Sequence, residues 1–291
     1  MPSYSDAYKF VILHYYRIGV LLSEDMASKR ERLLEKARMG VSEAYSSADH
    51  FIIQAVNAYN EIEKTRNLIY ERLEEWYAIH FPEVKLQNHD TFARLITVMK
   101  SINDVTEEQL TAILGDKGAE LYAILKEKNQ GSMSDDEYSA LKELANSELT
   151  LSSLQESLDR YIKTETERFM PNVSYLIDYK IAAELLSKAG SLSRLATMPS
   201  GTIQLLGAEK ALFKHMKFGS RPPKYGLLYK MPIITNASMR DRGRIARSYA
   251  TKISIAARAD AYTKRFIADK LKESLDKTLG RTRSGNSGSH E

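Results

Sequence analysis

The sequence predicts an all-α protein: a long antiparallel coiled-coil hairpin with a helical tip, followed by a compact helical module. Three observations predict it. Apolar residues recur at helical steps along two long segments. Only 14 Gly and 7 Pro interrupt 291 residues. The polar-to-apolar alternation that marks strands is scarce. At 43% hydrophobic the chain can bury a real core, and its length suits two domains of ordinary size.

The first 27 residues contain YKFVILHYYRIGVLL, Tyr8 to Leu22. Lys9, His14 and Arg17 interrupt this apolar run, and no small-residue cleavage site follows it. It reads as a short soluble helix and not as a signal peptide or membrane span. From Ser28 to about Phe81 the chain lacks proline, and Ile52, Val56, Tyr59, Ile62, Ile69, Leu73 and Trp76 follow one another at steps of three, four or seven. That is the spacing of a long helix seeking a partner along one seam, with Trp76 and Tyr77 as anchors. Pro82 ends it. Leu144, Leu151, Leu154, Leu158 and Tyr161 form a second such seam, which stops before Pro171.

Between these segments, Val84 to about Leu141 holds three shorter amphipathic stretches broken at Gly115, Gly118 and Gly131-Ser132. An antiparallel pairing of the long helices places that insert at the hairpin's far end. A boundary near Phe169 to Pro171 separates residues 28–170 from the module at 171–279. The module is predicted as short helices over about 173–188, 191–196 and 203–217, a short extended piece at 224–234, and one long helix over 238–279. The tail, residues 280–291, is small, polar and aperiodic, and is expected to be disordered.

Charge is strongly polarised. Residues 201–291 hold 19 Lys and Arg against 7 Asp and Glu, and residues 1–200 hold 23 against 31, beneath a modest total of +4. Such asymmetry points to a polyanion, nucleic acid or a membrane surface, for the basic half; a merely solvated basic face is the plain alternative. The absence of cysteine excludes disulfides, iron–sulfur clusters and thiolate zinc sites and suits a reducing, cytoplasmic interior.

Two constellations suit an anion. Gly207, Ala208, Glu209 and Lys210 form a turn of small residues opening a helix that carries Lys214, His215 and Lys217, so that helix-start amides and cations are presented together. The spacing is not that of a P-loop. On the last helix, at about 100° per residue, Arg240, Arg244, Arg247 and Arg258 share one direction, beside a packing face of Ala246, Ala250, Ile253 and Ala257. Arginine forks match phosphate oxygens, so the stripe can track a nucleic-acid backbone. Tyr225 and Tyr229 beside Lys224 and Lys230 suit either base stacking or core packing. The six histidines are too dispersed for a metal site, and neither a nucleophile elbow nor a dinucleotide turn occurs, so no metal, no cofactor and no enzymatic activity are expected.

Five runs carry a resemblance: GVSEAYSSADHFIIQAVNAYNEIEKT from Gly40, ERLEEWYAIHFPEV from Glu71, GSLSRLATMPSGTIQLLGAEKALF from Gly190, PPKYGLLY from Pro222 and GRIARSYATKISIAARADAY from Gly243. In this order they resemble the Nop family, the scaffold proteins of box C/D small ribonucleoproteins and their spliceosomal relatives. The resemblance implies a coiled-coil domain that pairs with itself or a paralogue, here through Ile62, Ile69, Leu73, Trp76, Leu151, Leu154 and Leu158. It also implies a Nop domain that binds a kink-turn RNA jointly with a ribosomal-type kink-turn-binding protein. Carried onto this chain, it nominates Gly207, Ala208, Glu209, Lys210, Lys214 and His215, with Lys224, Lys230, Arg244, Arg247 and Lys252 on or near the RNA-facing side. Family members of archaeal type carry a large N-terminal domain that recruits the fibrillarin methyltransferase. About 27 residues precede the matched region here, so fibrillarin is not expected among the partners. A general RNA binder and a coiled-coil adaptor for a paralogue are the competing readings.

Overall fold

The computed structural model describes residues 26–36, 38, 48–128 and 133–284. Among these there is no β-strand, and the fold is all-α as the periodicity predicts. The chain divides into two units, Met1–His50 and Phe51–Glu291. In the first, residues 26–36 are helical and exposed. The helix expected over Tyr8 to Leu22 lies outside the described residues.

Two helices dominate. Helix α1, Ala48–Tyr77, runs 30 residues without Gly or Pro and unwinds before Pro82. Four further helices bring the chain back: α2 (His89–Val98), α3 (Glu107–Leu114), α4 (Lys117–Lys128) and the 35-residue α5 (Asp135–Phe169). Each start has its own chemistry. Asn88 accepts from the Thr91 amide, Thr106 and Gln109 form a reciprocal capping box, and Ser134 accepts from the Glu137 amide, so orphan amides of three first turns are satisfied. Gly115 ends α3 at φ +64, and a Cβ on Gly118 would lie 2.4 Å from the Thr111 nitrogen, so α3 and α4 touch through a position only glycine fills.

α1 and α5 lie antiparallel. Arg66 donates to Glu148 and Gln155, whereas Trp76 Nε1, ten residues on, donates to Glu137 and His80 Nε2 meets the same carboxylate at 2.9 Å. The face of α5 that is buried is not the predicted leucine seam. It is Leu141, Ala145, Glu148, Ser152, Gln155, Ile162 and Thr166, at alternating steps of four, three or seven, with polar groups in its middle. Apolar clusters flank that middle. One gathers Leu73, Tyr77, Phe81, Phe92, Leu95 and Leu141 at the hairpin's far end, and the other joins Ile52, Val56 and Ile162 to the module that follows.

The module begins at Pro171, which opens α6 (Pro171–Leu176) at a position where its missing N–H is no loss. Next come α7 (Tyr179–Ala189), capped by Asp178 and ended by left-handed Gly190, then α8 (Leu192–Thr197), α9 (Ser200–Leu205) and α10 (Glu209–Phe218). The segment expected to be extended is instead a 3-10 turn at Leu227–Lys230 and α11, Pro232–Thr235. The predicted single long helix is two: α12 (Arg242–Arg258), continued by a π-turn at Ala259–Thr263, and α13 (Ala268–Ser284). Lys264, at φ +54, breaks the line between them. Because α13 runs to Ser284, residues 280–284 are helical and not disordered; 285–291 lie outside the described residues.

Candidate nucleic-acid interface

The turn that opens α10 is built differently from a bare anion nest. Gly207 sits at φ +89, and a Cβ there would meet Leu227 Cγ at 2.6 Å, so glycine is needed both for the bend and for the packing of Leu227 beneath it. The Gly207 amide donates to Glu209 Oε1 at 2.6 Å. Partial burial pushes the Glu209 carboxyl up, but the amides of Gly207 and Glu209 and the charge of Lys188 outweigh it and hold the group below its ordinary range. Glu209 thus folds back on the turn that precedes its own helix. The Gly207 amide is therefore engaged inside the chain, whereas the amides of the first turn of α10 receive no side-chain cap.

Beyond the turn, α10 has no buried residue. Lys210 and Lys214 are exposed, and so are Phe213 (64%), Met216 (77%) and Phe218 (69%). Lys217 lies over both rings, 5.9 Å from Phe213 and 5.4 Å from Phe218. His215 is not free. Its Nδ1 bonds the Ser220 carbonyl, which requires the Nδ1–H form, and its own carbonyl accepts from Gly219 at φ +66. It fastens the C-terminal turn of α10.

The loop that follows is clipped back on this turn. Gly226 N–H donates to Gln204 O and Leu227 N–H to Leu206 O, both at 2.8 Å, while Gln204 Nε2 donates to Lys224 O at 2.6 Å. Tyr225 and Tyr229 stack on each other at 4.8 Å, and Arg242 lies 5.7 Å over Tyr229 while donating to the carbonyls of Ala237 and Thr235. The two tyrosines are therefore partners of each other, and Tyr229 is also a partner of Arg242. Turn, loop and the start of α12 are held together.

A family model named Nop, described as "snoRNA binding domain, fibrillarin", matches residues 58–281. The chain belongs to the Nop family. An uncharacterized NOP5 family protein of Methanocaldococcus jannaschii is 38% identical over 234 residues, covering 79% of this chain and 56% of that protein. Nucleolar protein 56 of Homo sapiens is 33% identical over 264 residues, covering 84% and 44%. Nucleolar protein 58 of Candida albicans is 33% identical over 245 residues, covering 82% and 48%. The chain spans about half the length of the curated relatives it matches. A solved fibrillarin/Nop5p complex contains a chain similar to this one at 23% identity and a TM-score of 0.48, over 86% of this chain and 78% of that one. The family description names fibrillarin, which does not fit the expectation that fibrillarin is no partner. That expectation rested on the residues before the matched region, and the match spans only about half of each relative's length.

The Nop-type basic side chains divide into two groups. Lys210, Lys214, Lys224, Arg240 and Arg247 are exposed and, among the described residues, make no ion pair. The others are engaged: Lys230 holds Glu184 at 2.6 Å, Arg244 holds Asp241 at 2.5 Å, and Lys252 donates to Ser274 at 2.8 Å. The predicted arginine stripe is shorter than the wheel suggested. Arg240 precedes the first residue of α12, and Arg258 turns to donate to the Ala196 carbonyl at 3.1 Å, joining α12 to α8. Sequence reasoning missed the exposed rings and Met216 on α10. The signal was there: a ten-residue helix with more apolar residues than its short contact with the core needs.

Along the long helices, Leu73 is fully buried inside the chain and so is unavailable to a second copy. Ile62, Ile69, Trp76, Leu151 and Leu158 are half-buried, and Leu154 is 48% exposed.

Proposed function

We propose that this Nop-family chain is a non-catalytic ribonucleoprotein scaffold of the box C/D type. Its C-terminal module binds a kink-turn RNA together with a ribosomal-type kink-turn-binding protein, and its long helices pair with a second copy or a paralogue. One observation carries the reading: α10 buries none of its residues, and it offers cations and large apolar side chains on the same short helix. Neither RNA alone nor protein alone needs both. Phosphates take Lys210 and Lys214; an apolar patch on a companion protein takes Phe213, Met216 and Phe218. A composite of the two explains the mixture. Phosphate contacts then supply affinity, and the shape of the RNA in its companion supplies selectivity.

The test is a gel shift with kink-turn RNA and its companion protein. Lys210→Glu combined with Arg247→Glu is expected to abolish the ternary complex. Unchanged binding removes the site assignment, and affinity that does not rise when the companion is added favours a general RNA binder.

A further inference from the structure

A second surface lies where α6, the π-turn and α13 meet. The turn after α12 is an expensive piece of backbone: a π-turn followed by Lys264, the one non-glycine residue at positive φ among those described. A buried lock holds it. Asp260, 1% exposed, accepts from the Asn172 amide at 3.1 Å, Asn172 Nδ2 at 2.7 Å and the Val173 amide at 3.0 Å. Asn172 then clamps the far side of the turn, donating from Nδ2 to Arg265 O at 2.9 Å and accepting from the Ile267 amide at 2.6 Å.

What the lock presents is exposed. Phe266 (53%) meets Tyr175 (45%) edge to face, with ring centroids 5.5 Å apart, and Tyr262 (61%) stands four residues before Phe266. Lys272 lies 5.1 Å over the Tyr175 ring, and Arg265 and Lys270 are exposed nearby in sequence. From 262 to 272 there are four cations and one carboxylate, Asp269. That carboxylate hydrogen-bonds the Tyr175 hydroxyl and raises its pKa, which tethers the outer end of the ring.

We propose that Tyr175, Phe266 and Tyr262, bordered by Arg265, Lys270 and Lys272, form a platform on which an unpaired stretch of RNA stacks. Fixed aromatic planes with adjoining cations are what a single strand needs: every base has a face to stack, and each phosphate needs a positive neighbour. A helix of a protein partner would be better served by aliphatic residues at helical spacing, and the local charge excess favours a polyanion. The surface goes beyond the composite interface on α10, because it requires neither a kink-turn nor a companion protein.

The full chain is titrated against a fluorescent oligouridylate of about 12 nucleotides and against a duplex of equal length, read by anisotropy. Tyr175→Ala with Phe266→Ala is expected to weaken single-strand binding about tenfold or more and to leave duplex binding unchanged. Phe266→Leu, which keeps an apolar side chain but no stacking plane, is expected to weaken it too, whereas Phe266→Tyr retains it. Lys272→Ala is expected to reduce the salt slope by about 0.7. Wild-type affinity in Phe266→Leu overturns the proposal, as does an equal loss for duplex and single strand. The Lys210→Glu, Arg247→Glu protein separates the two readings: if it still forms the ternary complex while the aromatic variant loses single strands, only the α10 assignment fails.

Discussion

Arg66 of α1 donates from Nε to Glu148 of α5 at 2.8 Å, and Glu148 is fully buried, its second oxygen without a hydrogen-bond partner. The same guanidinium reaches Gln155 and Asp90 at 2.6 Å each. A buried carboxylate that loses its arginine is a charge without compensation, and breaking such pairs costs about 3–5 kcal/mol. Arg66→Met is therefore expected to lower the urea unfolding free energy by about that much. Arg66→Met with Glu148→Leu is expected to recover most of it, since removing both charges leaves an apolar seam. A double variant as unstable as the single one would show that the pair is not the cause.

His89 and Glu148, in the same cluster, titrate in opposite senses. Burial, then the charge of Arg66, lowers the His89 pKa against the pull of Asp90 and Glu74. Burial raises the Glu148 pKa more than Arg66 lowers it. Below about pH 6.5 the unfolded chain protonates His89 before the folded one does, so this group loses stability as pH falls. Glu148 behaves in reverse: the folded state keeps its proton at a pH where the unfolded state has released it, so this group's contribution worsens as pH rises above the ordinary carboxylate range. Urea midpoints measured from pH 7 down to pH 5 are expected to fall less in His89→Gln than in wild type, and to fall more in Glu148→Gln. Parallel curves for all three would exclude the cluster as a source of pH dependence.

Asp260 caps α6 by accepting from the Asn172 and Val173 amides, because Met170 offers no side-chain hydrogen bond there. Asp260→Ala leaves the Asn172 and Val173 amides buried without an acceptor, and about 3 kcal/mol is the expected loss in thermal or urea unfolding. Burial raises the carboxyl's pKa despite those donors, so its charge is a cost to the fold at neutral pH that protonation relieves.

The helical class, the long helices and most of their ends are legible because proline, glycine and capping residues punctuate the sequence in a regular way. The contact register is not. Leu144, Leu151, Leu154 and Leu158 announce themselves by hydrophobicity, yet α5 turns Glu148, Ser152 and Gln155 inward, and apolar periodicity cannot detect a seam whose partner is an arginine. The break at Lys264 is equally silent, since neither Gly nor Pro marks it; what holds it is Asn172, 92 residues upstream in sequence but hydrogen-bonded to Asp260 before the break and to Arg265 and Ile267 after it. At the candidate site, cations could be counted from the sequence, but their engagement could not. Lys230 and Arg258 read like Lys210 and Arg247 until Glu184 and the Ala196 carbonyl are seen in front of them.

Gly226 makes a sharper prediction than its neighbours. A Cβ there would lie 2.0 Å from the Leu206 carbonyl oxygen and 2.7 Å from its carbon, both backbone, so nothing soft can yield. Gly226→Ala is expected to break the clip between the 224–229 loop and the α10 turn, lowering the melting temperature by several degrees and abolishing RNA binding with it. Gly219→Ala, which meets nothing within 4 Å but stays at φ +66, is expected to cost only about 1 kcal/mol. Equal effects would mean that backbone strain, not the close approach, governs the loop.

The exposed apolar residues that the seam does not use are where the proposed pairing of whole chains can be tested. Leu68 is 62% exposed on α1, and Leu154 and Tyr161 are 48% and 43% exposed on α5, whereas Leu73 is fully buried in the tip cluster. Leu154→Lys removes little that the chain itself buries, so its own stability is expected to change by no more than about 0.5 kcal/mol. Light scattering is expected to show a shift from dimer to monomer at unchanged helicity by circular dichroism. Leu73→Lys is the contrasting case: it places a charge in the core and is expected to lose helicity as well as mass. If Leu154→Lys leaves the mass unchanged, the pairing surface is not this side of α5, and the exposed leucines must be assigned to another partner.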